Sequence, residues 1–218
     1  MASGPDPDMN RTAVVAGVGP GVGEAVARGL AAAGYGVGLL ARSSDHVERL
    51  AADLDDAVAV TADVADANAV DGAIGTVRET LGPVDALVHN ASAPGGDRLA
   101  DASAASMEAV WRTRTLGCFN CLRALQEPEA VVVSGTNYAA EPAPGQVEWG
   151  SAAAATKGLA RSAAADLEAA VTYVEIAAAV APPDSDFAGA VGADRLADRY
   201  LELLDRDGGF AVERLDPA

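Results

Sequence analysis

The chain has 218 residues, half of them apolar and only 4% aromatic, which suits a single domain of close-packed, alanine-rich helices on a sheet rather than an aromatic-rich barrel. With 32 acids against 15 Lys and Arg, the formal net charge is -17, a surface that repels nucleic acid and anionic membranes. No apolar run has the length of a membrane span, and the cytoplasm is the default expectation.

Residues 1–10 contain Pro, Asp, Gly and Asn and are expected to form a disordered tail, leaving 11–218 as the domain. A short apolar run at 12–16 (TAVVA) predicts a first strand, and 22–33 a helix closed by Gly34. A second strand is expected at 35–41, a short helix at 45–53 and a third strand at 57–61. Residues 66–81 form the next predicted helix, stopped by Gly82-Pro83, with a fourth strand at 84–88. A loop rich in Ser, Gly and Pro leads to one long helix at 103–125 and a fifth strand at 130–134. Residues 137–150 read as a long loop, 151–169 as an Ala-rich helix and 171–179 as a sixth strand. A Pro-Pro loop, a helix at 193–205 and a last short strand at 210–214 complete the chain. Strands alternate with helices and are apolar throughout. That pattern predicts an α/β domain whose doubly wound parallel sheet is covered on both faces, in three layers, with its ligand beyond the carboxyl ends of the strands.

Between the first strand and first helix lie Gly17, Gly19, Gly21 and Gly23. Such a turn lets backbone amides approach a pyrophosphate at a helix N-terminus, the Rossmann-type arrangement; the alternative is a turn that needs glycine and holds no ligand. Cys118 and Cys121 are three apart on a predicted helix, where a disulfide is disfavoured, and His46 and His89 are distant from them in sequence, so no metal site is expected.

The string Ala16-Gly-Val-Gly-Pro-Gly-Val-Gly23 resembles the T-G-x-x-x-G-x-G turn of the short-chain dehydrogenases/reductases. The likeness extends over nearly the whole chain: Asp63-Val64 falls where that family's adenine-contacting Asp follows the third strand, Leu87–Ser92 (LVHNAS) is similar to its L-V-N-N-A-G, with Asn90 and Ala91 retained, and Lys157 falls on its active-site lysine. The resemblance implies an NAD(P) site built from Gly17, Gly19, Gly21, Val22, Gly23, Asp63, Val64, Asn90, Ala91 and Lys157. The second strand ends Ala41-Arg42-Ser43 with no acid to bind a ribose 2′-hydroxyl; a guanidinium beside a hydroxyl suits a 2′-phosphate, so NADP is expected over NAD, the alternative being an ordinary solvated Arg42. His89 is either a core residue or part of the site lining.

The resemblance implies four catalytic positions: a Tyr that moves the proton, a Lys that holds the ribose, a Ser on strand five that polarises the carbonyl and an Asn that supports a water relay. Here Lys157 is retained. The Tyr position, four before Lys157, is Ala153, the Ser position falls at Ser134 or Gly135, and the Asn position is Arg114. Tyr138 is the candidate replacement donor, with Glu148 also on the loop beside it. Two cations, Arg114 and Lys157, directed at one site need an anion between them: a substrate carboxylate, a cofactor phosphate or a nearby Glu. The alternative is that Arg114 turns outward. Three functions stand open: an NADP-dependent oxidoreductase for a small carbonyl or enone substrate, a non-redox enzyme on the same scaffold, and an inactive nucleotide-binding protein. The helices 103–125 and 151–169 match those of the family's dimer interface, so a homodimer or homotetramer is expected.

Overall fold

The computed structural model describes residues 11–125, 127–181 and 189–217; the N-terminal segment expected to be a tail lies outside them. Chain order is β1 (Thr12–Ala16), α1 (Val22–Ala32), β2 (Gly36–Ala41), α2 (Ser44–Asp53), β3 (Ala57–Thr61), α3 (Ala67–Leu81) and β4 (Ala86–His89). There follow α4 (Ala104–Trp111), a π-helical segment (Arg112–Leu116), α5 (Gly117–Leu125), β5 (Ala130–Thr136), a 3-10 turn (Asn137–Ala139), α6 (Val147–Asp166) and β6 (Ala170–Ile176). Two short strands, β7 (Ala179–Ala181) and β8 (Ala190–Gly192), precede α7 (Ala193–Leu204) and β9 (Gly209–Leu215).

Seven strands form one sheet in the order β3-β2-β1-β4-β5-β6-β9, every pairing parallel. The continuous apolar strands are the cause: alternate residues point to opposite faces, and both faces are covered. On one face Ala13, Val15, Val37, Val88 and Val132 pack with α1, α2 and α7; on the other Val14, Leu40, Leu87, Val133 and Tyr173 pack with α3, α5 and α6. Chain direction across the sheet reverses between β1 and β4, which leaves a crevice above their carboxyl ends.

Several boundaries differ from expectation. The helix expected to start at 151 begins at Val147, so Glu148 and Trp149 are helical rather than on the preceding loop. The predicted helix 103–125 is broken by the π-helical segment, a wide turn that contains both Thr113 and Arg114. The sixth strand stops at Ile176; of its expected tail only Ala179 is in a strand, the start of β7, which pairs with β8. The last strand, β9, extends over seven residues and pairs with β6 along its whole length. The two cysteines are free and buried, and burial pushes both thiols up, Cys121 to about 12, so they are inert packing groups.

Candidate active site

The groove over β1 and β4 measures about 520 Å³ and is lined by Gly17, Val18, Gly19, Ala41, Arg42, Ser43, Ala62, Val64, Ala91, Ser92 and Thr113, with Leu40 at its floor. Its tightest point is Gly17, which has φ +98° and sits so close to β4 that a Cβ there would lie 2.4 Å from the Ala91 backbone. Gly23 is as constrained, since its Cβ would lie 2.6 Å from the Gly17 carbonyl oxygen. Asn90 locks this approach by donating from Nδ2 to that carbonyl at 3.0 Å. The amides of Gly17 and Val18 both donate to the Leu40 carbonyl, at 2.9 and 3.0 Å. The amides left for an anion are therefore those at the start of α1, where Gly21 is the N-cap and Val22 the first helical residue.

Arg42 and Ser43 are exposed on the wall beyond β2. Asp63 does not line the groove; its carboxylate accepts the Ala65 amide at 2.9 Å, while its neighbour Val64 forms the wall. Gly117 sets that wall's position: a Cβ there would lie 2.6 Å from Val64, so α5 approaches where a larger residue would not fit. Asn120 donates to the Val64 carbonyl at 2.9 Å. His89 is fully buried beneath Thr113 and Arg114, and neither ring nitrogen has a hydrogen-bond partner. Burial first, and then the Arg114 charge, lower its pKa to about 4, so the ring is neutral.

The residues expected to do chemistry lie outside this lining, on β5, the turn after it and α6. Lys157 reaches across from α6 and donates to Glu175 of β6 at 2.8 Å. Ala153, one turn earlier on α6, is fully buried. Ser134 shares a face of β5 with Ala130 and Val132, so its hydroxyl is turned to α7, where it lies 2.8 Å from the buried Tyr200 hydroxyl. Gly135 points to the opposite face, against the Tyr173 ring; a Cβ there would lie 2.1 Å from that phenol. Tyr138 occupies the 3-10 turn after β5 and packs by its backbone and Cβ against Gly150 of α6. Glu148 is taken up elsewhere: it accepts the amides of Asp97 at 3.1 Å and Gly96 at 3.4 Å and the Ser106 hydroxyl at 2.9 Å. Its own backbone amide and then these donors hold its carboxyl below the usual range, so it clamps the 94–97 loop as an anion.

Arg114 does not turn outward. Its Nε donates to Ser92 Oγ at 3.1 Å, and its guanidinium lies over the Trp149 ring, 6.0 Å from the centroid. Burial lowers its pKa, against the opposing effect of Tyr173 and Tyr200, yet a guanidinium stays charged. Trp149 is itself fixed by donation from Nε1 to the Ala93 carbonyl at 3.2 Å.

Two residues here escape a reading by position: Glu175 and Thr136. The Thr136 Oγ1 is buried without a partner at the carboxyl end of β5, and the Tyr173 hydroxyl is likewise buried and unpaired. Burial pushes the Tyr173 phenol up to about 12 despite the Arg114 charge, so it keeps its proton. A signal for Thr136 was present in its hydroxyl, two residues beyond Ser134 on the same strand face.

The family model described as short chain dehydrogenase matches residues 11–190. A 3-oxoacyl-(acyl-carrier-protein) reductase FabG of Staphylococcus epidermidis is 30% identical over 209 residues, covering 90% of this chain and 84% of the relative. A protein of the same description from Staphylococcus aureus is 31% identical over 170 residues, covering 73% of this chain and 69% of that one. The alcohol dehydrogenase of the archaeon Thermococcus sibiricus, solved in complex with 5-hydroxy-NADP, has a TM-score of 0.87 at 24% identity, covering 95% of this chain and 97% of that one. With its parallel sheet, glycine turn and matched length, the chain belongs to the short-chain dehydrogenase/reductase family.

Proposed function

We propose that this protein is an NADP-dependent oxidoreductase for a small carbonyl or enone substrate, from an atypical branch of its family that lacks the tyrosine on α6. The observation that carries the reading is the composition of the groove: glycine backbone from the β1–α1 turn, Arg42 and Ser43 beyond β2, and no acid among its described lining residues. The nucleotide fits this lining because Gly17 and Gly23 pack directly on protein backbone and hold the turn close, while Gly19 and Gly21 carry no side chain and face open space. Gly19, Gly21 and Val22 would hold the pyrophosphate, Arg42 and Ser43 the 2′-phosphate, and Val64 and Ala91 the walls, with Asn90 fixing the glycine turn. The relatives' names support carbonyl reduction, and the archaeal neighbour's ligand supports NADP. When bound, the dinucleotide supplies a hydride for the substrate.

This chain's own residues supply the rest. Lys157, its charge balanced by Glu175, retains N–H donors for ribose hydroxyls. Tyr138, on the turn that borders the site, gives the proton in place of a tyrosine at position 153. Ser134 is engaged by Tyr200, so the hydrogen bond to the substrate oxygen falls to Thr136 Oγ1, the unpaired hydroxyl at the end of the same strand. Among the described residues no helix is long and apolar enough to cross a membrane, which accords with a cytoplasmic enzyme. Trp111, Leu116 and Phe119 are exposed along α4, the π segment and α5, and support a homodimer or homotetramer through that face.

Fluorescence titration with NADPH and NADH, followed by NADPH consumption across a carbonyl and enone panel, tests the reading. Saturable NADPH binding with turnover is expected, and Tyr138→Phe lowers kcat by roughly 10²-fold or more at unchanged NADPH affinity. Failure to bind either nucleotide overturns the proposal. Binding without turnover favours a non-redox or inactive protein, the reading that the alanine at position 153 supports.

A further inference from the structure

We propose that Arg114 anchors a substrate carboxylate, so that the compound processed at this site is a short oxo acid. That the compound is reduced rests on the oxidoreductase reading above; the anion site itself does not. Of the two cations expected at the site, Lys157 and Arg114, only one is balanced. Lys157 has Glu175 at 2.8 Å, whereas Arg114 has no carboxylate within ion-pair distance among the described residues. The chain does not lack acids, having 32 of them. Arg11, Arg28, Arg123, Arg199 and Arg214 each sit against a carboxylate, and the part-buried Arg78 and Arg206 spend terminal N–H groups on protein oxygens, whereas Arg114 is bonded through Nε alone. The acid beside Trp149, Glu148, is turned away and saturated by two amides and a hydroxyl.

The location fits a ligand. Ser92, which receives the Arg114 Nε–H, and Thr113, the residue before it, both line the groove. With Nε tied to Ser92 and one face of the guanidinium covered by Trp149, the terminal N–H groups are held in a fixed plane. Two parallel N–H donors of one guanidinium match the two oxygens of a carboxylate. A single unbalanced cation matches a single negative charge, and the phosphates of the dinucleotide are served at the other end of the groove by the start of α1 and by Arg42. His89 and Tyr173, fully buried with unpaired polar atoms, lie in the field of this guanidinium and carry no charge to balance it.

The test uses acetoacetate and pyruvate against their methyl esters, on the full chain with NADP bound. In a Trp111→Phe background, Trp149 fluorescence reports occupancy without turnover. The acids are expected to change it saturably and the esters at least tenfold more weakly; Arg114→Gln removes the preference while NADPH affinity stays within twofold. In steady state the same variant raises KM for the acid at least tenfold and leaves the ester within twofold. Arg114→Lys, which keeps the charge without the fork, recovers part of the preference and serves if the Gln variant is misfolded by circular dichroism. Esters that bind as well as acids, or an Arg114→Gln protein that keeps the preference, overturn the proposal. Absence of NADPH binding would remove the oxidoreductase reading, yet the Trp149 titration, run without nucleotide, would still decide the role of Arg114.

Discussion

The two sides of the candidate site are built by different means. At the β1–α1 end the shape is backbone: Gly17, Gly23 and the Ala91 main chain touch where no side chain fits, and one amide of Asn90 locks the contact. At the β5–α6 end the shape is a set of side-chain pairings over long separations: Lys157 with Glu175, Ser134 with Tyr200, and Glu148 with the 94–97 loop. A backbone contact tolerates nothing in its place, whereas a pairing can be exchanged one partner at a time. The first end is therefore expected to fail as a unit, and the second to be tuned.

The largest effect expected is at Gly17. A Val there places a Cβ 2.4 Å from the Ala91 backbone at φ +98°, where an L-residue is strained. Gly17→Val should cost more than about 4 kcal/mol, by steric overlap and backbone strain together, and abolish nucleotide binding. Gly19 is the control, for its Cβ would meet nothing within 4 Å. Gly19→Ala should stay within about 1 kcal/mol by urea denaturation. Equal losses from the two would mean that the glycine turn is not a close-contact device.

His89 comes next in size. Its folded pKa of about 4 lies below the ordinary histidine value of 6.5, so above pH 6.5 neither state is protonated and nothing is gained or lost. As pH falls from 6.5 to 4 the unfolded chain takes up a proton that the folded chain refuses, and the folded state loses about 3 kcal/mol. His89→Asn should remove that slope. Urea midpoints of both proteins between pH 7.5 and 4 share the carboxylate titrations, so their difference isolates the histidine. Parallel curves would mean that the ring is protonated in the fold.

Arg42→Glu carries a smaller effect at the exposed rim. It should weaken NADPH binding about tenfold or more, roughly 1.4 kcal/mol, and spare NADH, with the contrast shrinking as salt rises. An unchanged NADPH affinity would leave Arg42 as a solvated arginine.

What could be read from the chain follows the same division. The strands were legible because both sheet faces demand unbroken apolar runs, and the glycine turn because close approach needs a residue type. The start of α6 was not. Prolines and glycines at 142–150 read as loop, but Glu148 lies in the first helical turn, and Gly150 is accommodated where its Cβ would lie 3.4 Å from the Tyr138 carbonyl. The π-helical turn at 112–116 contains no proline or glycine, and its wide turn is a tertiary matter: Thr115 meets Thr156 of α6 at 2.9 Å. At the substrate end residue type named the candidates, but partners 18 and 66 residues away decided what Lys157 and Ser134 hold. The face of Ser134 was accessible from period two along β5, since Ala130, Val132 and Ser134 alternate with apolar residues facing α6.

The smallest effect separates those pairings from chemistry. Ser134→Ala removes one neutral hydrogen bond and leaves the fully buried Tyr200 hydroxyl without its partner. The cost should be about 1–2 kcal/mol, a fall in Tm of a few degrees for a chain of this length, with kcat unchanged. Tyr200→Phe, which takes the other hydroxyl away, should behave alike, and the double variant should cost less than the sum because the stranded group is gone. Thr136→Val should do the reverse, lowering kcat at little cost in Tm, because its Oγ1 has no protein partner to lose. If Ser134→Ala instead reduces kcat without moving Tm, its hydroxyl works on the substrate side, and β5 presents its chemistry one turn of the pleat earlier than the geometry of the Tyr200 pair requires.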